Sequence, residues 1–185
     1  MPAIGSSKIL IMATHGFEQS ELMTPLEALR KAGATVEVAA PDAGEIKGWH
    51  NNDWGRSVPV DLTLKEAKPA DYDALVLPGG QMNPDTLRIN DTALAIIEAF
   101  LESGKVVAAI CHAPWLLVET GAVKGRKVTS YKSVKTDVIN AGGQWVDEQV
   151  VVDEGIITSR NPGDLEAFVA KIVEEVEEGT HKRRY

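Results

Sequence analysis

An α/β sandwich, built on a mostly parallel sheet with helices on both faces, follows from three features of the 185-residue chain. Apolar runs rich in β-branched residues alternate with segments of helical periodicity, which is the pattern of strands buried on both faces. The first two runs, residues 8–13 and 35–40, bracket one helical segment, and such a β-α-β unit makes its strands parallel. A third run, Val106–Ile110, passes into a helix with almost no loop, so the chain must turn sharply there.

The elements follow in order. After the strand at 8–13 comes the loop Thr14-His15-Gly16-Phe17-Glu18-Gln19-Ser20. The next helix shows Leu22, Leu26 and Leu29 on one face and ends at Lys31-Ala32-Gly33. Pro25 lies either in its first turn or at a kink. Residues 41–57 are a polar insertion holding Trp49, His50 and Trp54, read as a β-hairpin or a lid. Its tryptophans suit a contact surface or packing onto the body of the domain. The strand at 74–77 stops at Pro78-Gly79-Gly80, where two glycines permit close backbone approach or simply a turn. Asn90-Asp91 caps a helix with Leu94, Ile97 and Leu101 on one face, closed by Ser103-Gly104. Pro114 suits the first turn of the helix after Val106–Ile110.

Beyond it, 121–127 reads as a turn, 128–130 as a short strand and 133–141 as a helix ended by Gly142-Gly143. Short strands are expected at 145–146, 150–152 and 156–158, the last two as a hairpin about Asp153-Glu154-Gly155. Pro162-Gly163-Asp164 opens the last helix, whose apolar stripe is Leu165, Phe168, Val169, Ile172, Val173 and Val176. With no repeat and no linker, one domain over residues 1–185 is expected, with its core at about 8–177 and a tail at 178–185. The basic His181-Lys182-Arg183-Arg184 is expected as a frayed end.

Bulk properties exclude several functions. The net charge of −8 argues against nucleic acid or an anionic membrane as a main partner. A single cysteine rules out an internal disulfide and suits a reducing compartment. The start MPAIGSS has no charged segment followed by an apolar core, and no apolar run approaches the ~20 residues of a membrane span. The expectation is a cytoplasmic protein. One cysteine and four scattered histidines show no metal-ligand spacing, and no phosphate-binding glycine motif follows a strand. No cofactor is expected.

Chemistry should collect beyond the carboxyl ends of parallel strands. Glu18, Gly79-Gly80 and Cys111-His112 all fall there. Cys111 sits in the strand-to-helix junction, with Ala109 and Ala113 small enough to let the chain turn. A helix N-terminus would lower its pKa and offer N–H groups to an oxyanion, whereas a core thiol would be inert. The donors would come from the backbone around Gly79 and Gly80 and at His112. Beside a thiolate, Glu18 should be protonated and its pKa raised. Glu18 is otherwise a solvated loop carboxylate, and His15, His50 and His181 read as bystanders.

The strings GFEQSEL (16–22), DYDALVLPGG (71–80), AAICHAPWLL (108–117), KGRKVTSY (124–131) and the run at 139–165 resemble the PfpI/ThiJ family. The resemblance runs over about residues 8–177. It implies the flavodoxin-like sandwich of the class I glutamine amidotransferase-like superfamily. It also implies Cys111 as nucleophile, His112 as its neighbour and Glu18 as the carboxyl bonded to the thiolate. In the protease-like branch a third acidic residue completes the site of a neighbouring subunit, and the matching position is Asp85, so a homodimer or hexamer is implied. Asp85 is one methylene shorter than the usual Glu, and Ala113 stands where glycine is more common. Family members are described as cysteine proteases, as glyoxalases acting on methylglyoxal, as deglycases and as stress-response proteins. The implied substrates are small aldehydes, glycated adducts or peptides. A redox-sensing protein with little turnover is the alternative.

Overall fold

The computed structural model describes residues 2–183; Met1, Arg184 and Tyr185 lie outside the described residues. In chain order the elements are β1 (Lys8–Met12), β2 (Phe17–Glu18), α1 (Gln19–Lys31), β3 (Thr35–Ala40), β4 (Glu45–His50), β5 (Asp53–Pro59) and β6 (Leu62–Thr63). Then come β7 (Ala74–Leu77), α2 (Met82–Leu87), α3 (Asp91–Glu102), β8 (Val106–Ile110), α4 (Pro114–Glu119), β9 (Lys127–Val128) and α5 (Lys135–Asn140). The chain finishes with β10 (Gln144–Trp145), β11 (Val151–Asp153), β12 (Ile156–Ser159) and α6 (Leu165–Glu178).

The central sheet runs β11-β12-β8-β7-β1-β3-β6, parallel except for β11. Its middle strands are buried along their whole length, so they read as continuous apolar runs rather than alternating ones. On one face Leu22, Leu26 and Leu29 of α1 pack with Phe168, Ile172 and Val176 of α6. On the other, Ile96, Ile97 and Phe100 of α3 join Leu116, Leu117 and Val138 of α4 and α5. This is the three-layer α/β arrangement that the alternation of runs predicts.

Several local expectations are settled. Pro25 sits inside α1, not in its first turn. Asn90 caps α3 by accepting the Ala93 N–H at 3.0 Å, and Pro114 opens α4. The insertion is a hairpin: β4 pairs antiparallel with β5, and β4 also pairs with β2 in the loop after β1. Trp49 and Trp54 meet edge to face at 5.5 Å, with Trp54 exposed. The expected hairpin about residues 153–155 is β11–β12.

The frayed basic tail is corrected as far as Arg183; Arg184 lies outside the described residues. The His181 N–H bonds the Gly104 carbonyl at 2.8 Å. The Arg183 guanidinium donates to the carbonyls of Phe100, Leu101, Lys105 and Glu154. The physical reason is that α3 ends in carbonyls with no partner inside the helix, and a planar cation satisfies several at once. No helix among the described residues is long and apolar enough to cross a membrane.

Candidate active site

The site forms where β1, β7 and β8 end together. Cys111 follows β8 directly and adopts φ +64°, a left-handed conformation costly for any residue with a Cβ. Two backbone bonds hold it there: its N–H reaches the Ser159 carbonyl at 3.0 Å and its carbonyl accepts the Tyr131 N–H at 2.7 Å. The turn aims the thiol at the loop after β7, where the N–H groups of Gly80 and His112 point at Sγ.

That loop explains its glycines. A Cβ at Gly79 would lie 2.4 Å from Glu21 Oε2 and 2.6 Å from Cys111 Cβ. Gly80 has φ +84°, and a Cβ there would meet the Gly16 carbonyl oxygen at 2.4 Å. Asn83, fully buried, fastens the loop: its Oδ1 accepts the Thr14 N–H at 2.8 Å, and its amide donates to the Pro78 and Gly79 carbonyls.

The carboxyl beside the thiol belongs to Glu21, not Glu18. Glu18 stands half-buried at the N-cap position of α1, and its carboxylate accepts from Ser20 Oγ at 3.5 Å. Three residues along, helical geometry turns Glu21 inward, onto the stripe it shares with Pro25 and Leu29. Glu21 Oε2 accepts the Gly79 N–H at 2.8 Å; Oε1 is buried without a conventional partner, and the carboxyl couples to the Cys111 thiol. Gly79 is thereby removed as an oxyanion donor, leaving Gly80 and His112. Burial and the nearby Glu18 charge push Glu21 up to about 8, so the protonated carboxyl expected of Glu18 is found at Glu21. Glu18 acts on this site through its charge and through its backbone N–H, which donates to the Gly79 carbonyl at 3.2 Å.

The thiol reading also needs correction. Burial, and next the Glu21 charge, push Cys111 well above the ordinary thiol range, outweighing the Gly80 and His112 N–H groups that favour the thiolate. Near neutrality the sulfur keeps its proton. His112 Nδ1 lies 3.1 Å from Sγ, and burial lowers the imidazole pKa, so it is a neutral ring beside a thiol. The ring stacks on Tyr131 at 4.6 Å and meets Trp115 edge-on at 5.1 Å. Its Nε2 faces Ser133 Oγ at 3.2 Å.

Asp85 is exposed in the first turn of α2, and the side-chain hydrogen bonds of its own chain's His112 go to Cys111 and Ser133 instead. His15 accepts the Lys47 N–H, which ties the hairpin to the loop, and His50 pairs with Asn51. Sequence reasoning missed Glu21, Asn83, Tyr131 and Ser133. For Glu21 a signal existed: a carboxylate at i, i+4, i+8 with Pro25 and Leu29 on an apolar stripe. Among the described residues, Glu175, Glu178 and His181 are the group whose ligand atoms converge closely enough for an ion. They lie at the opposite end of the sheet from Cys111, where His181 pairs with Glu175. A cavity of about 670 Å³ lined by Glu98, Leu101, Thr120 and Lys124 likewise excludes Cys111.

Comparison with known proteins places this geometry. The model of the DJ-1/PfpI family matches residues 7–175. Deglycase PfpI of Pyrococcus furiosus is 45% identical over 166 residues, 90% of this chain and 97% of its own length. Protein/nucleic acid deglycase 2 of Escherichia coli is 42% identical over 165 residues, 88% of this chain and 94% of its own. The crystal structure of Drosophila melanogaster DJ-1beta superposes with a TM-score of 0.83 at 31% identity, covering 94% of this chain and 95% of that one. With the strained elbow, the paired glycines and the buried carboxyl in place, the chain belongs to the DJ-1/PfpI family.

Proposed function

We propose that this protein is a cysteine-dependent enzyme of the deglycase or glyoxalase type, acting on methylglyoxal or its adducts through Cys111. The observation that carries this reading is a thiol on a strained elbow, 3.1 Å from a neutral imidazole and faced by two backbone N–H groups. The thiol proton passes to His112 Nδ1 as sulfur adds to the aldehyde carbon, giving a hemithioacetal whose oxyanion is met by the Gly80 and His112 N–H groups. Transfer of the aldehyde hydrogen to the adjacent carbonyl carbon, through an enediol, leaves a thioester. Water then cleaves it to lactate, and the proton returns from His112 to sulfur.

Cys111 is only 6% exposed, which suits a three-carbon aldehyde or the end of a glycated side chain better than a peptide segment. That favours this reading over a PfpI-type peptidase. The protein is proposed as a single domain, in the cytoplasm, with Asp85 of a neighbouring copy as a further site residue. The test is steady-state conversion of methylglyoxal to lactate by wild type and Cys111→Ser. Many turnovers by wild type and none by the variant support the reading. One equivalent of methylglyoxal lost with the thiol, and no further turnover, would replace it with redox sensing.

A further inference from the structure

Resting on the reading of Cys111 as nucleophile, we infer that Ser133 is a positioning residue that completes a cysteine–histidine–serine chain within one subunit and fixes the His112 tautomer. The argument is one of donors and acceptors. Sγ already faces the Gly80 and His112 N–H groups, and the Glu21 carboxyl, which accepts from the thiol while ionised, becomes a third donor toward it once protonated. With Glu21 Oε2 taken by the Gly79 N–H and its other oxygen carrying the carboxyl proton, the thiol hydrogen goes to the remaining acceptor, His112 Nδ1 at 3.1 Å. Nδ1 is therefore unprotonated, which puts the ring hydrogen on Nε2. That N–H points at Ser133 Oγ, 3.2 Å away.

The Ser133 backbone is held in place. The 3-10 turn Lys132–Val134 is pinned by buried Val134, and the preceding Tyr131 N–H is bonded to the Cys111 carbonyl. Ser130 Oγ, one step further back, accepts the Trp145 indole N–H at 2.9 Å. Stacking on Tyr131 and the edge of Trp115 fix the plane of the ring; only the hydrogen bonds at its two nitrogens choose which faces sulfur. When Sγ attacks, its proton goes to Nδ1, and the resulting imidazolium keeps its Nε2–H on Ser133 Oγ. The serine gains and loses no proton; its own hydroxyl hydrogen points to solvent, since the side chain is at the surface.

The test uses full-length wild type, Ser133→Ala, Ser133→Thr and Asp85→Ala, with Cys111→Ser as control. Turnover of methylglyoxal is measured, and the His112 tautomer is read from 15N-histidine NMR. Expected are an Nε2–H tautomer in wild type, a kcat lower by about tenfold or more in Ser133→Ala with KM little changed, and a shift toward Nδ1–H. Ser133→Thr, which keeps the hydroxyl, should restore both tautomer and rate. The inference is overturned if wild type is Nδ1–H, if Ser133→Ala matches wild type, or if its rate falls with the tautomer unmoved. It is equally overturned if Asp85→Ala, and not Ser133→Ala, flips the tautomer. Turnover surviving in Cys111→Ser would instead sink the reading on which the inference rests.

Discussion

The Glu21 carboxyl and the Cys111 thiol meet beside Gly79, in a space too dry and too narrow for two negative charges. The Glu21 charge strengthens the thiol's hold on its proton, while burial and the Glu18 charge strengthen that of Glu21 against the opposing pull of its hydrogen bond with the thiol. One consequence is visible in stability. The folded-state pKa of Glu21, about 8, lies above its ordinary 4.5, so the folded chain keeps a proton that the unfolded chain releases. The stabilisation is whole below about pH 4.5, declines as pH rises and is gone above about 8, a change on the order of a few kcal/mol. Urea unfolding of wild type and Glu21→Gln from pH 5 to 9 should show this decline in wild type and a flatter curve in the variant. Parallel curves would mean that the carboxyl titrates normally. In the same pair of proteins, the alkylation midpoint of Cys111 should lie well above ~8.5 in wild type and fall in Glu21→Gln, which removes the like charge.

The loop between β7 and α2, with Asn83 fastening it, should be among the least tolerant stretches of the chain. In Gly80→Ala the new methyl would meet backbone at both Gly16 and Glu18 while forcing an unfavourable φ, and a loss of about 3 kcal/mol is expected. Asn83→Ala leaves the Thr14 N–H and the Pro78 carbonyl without their partner, while the Gly79 carbonyl keeps the Glu18 N–H, and should cost about 2–4 kcal/mol. Denaturant midpoints measure both, and a change under 1 kcal/mol in either would show that the loop relaxes.

Asp85 calls for a different experiment, because its carboxylate is at the surface and its own His112 bonds elsewhere. If it completes a neighbouring site, mixing inactive Cys111→Ala with inactive Asp85→Ala under conditions of subunit exchange should restore a fraction of wild-type turnover. No recovery, or sedimentation as a 19.9 kDa monomer, would confine the site to one chain.

The tail offers a control remote from the chemistry. Arg183→Met removes the cation shared by four carbonyls and should lower the melting temperature by about 2–8 °C, with kcat unchanged. Calorimetry and turnover, measured together, check it. A loss of activity at unchanged stability would mean that the tail communicates with the site.

How much of this was legible beforehand depended on whether a residue's role was local. The strands at β1, β7 and β8 were readable because burial on both faces leaves an almost unbroken apolar run, β3 because Val36, Val38, Ala39 and Ala40 outweigh Glu37, and the elbow because strand and helix abut. Asn90 and Pro114 declared themselves by position relative to their helices. Glu18 and Glu21 are both acidic and three residues apart, so choosing between them required knowing where α1 begins and which face it buries. The side-chain contacts of Ser133 and Asn83 lie 21 and up to 69 residues away, and no local pattern carries such information. Arg183 looked like a loose end because carbonyls at the end of α3 that take up a second, distant donor leave no mark in the sequence.

The φ of +64° at Cys111 sets the fold's interest against the proposed chemistry at that position. Glycine would relax the turn by roughly 1 kcal/mol or more, since it enters the left-handed region without penalty. A population selected only for thermal survival should therefore drift toward glycine there and lose the thiol. Cysteine can persist only where something in the organism's circumstances rewards the sulfur itself. Libraries screened for heat tolerance will enrich such silent winners unless each round is also scored for turnover.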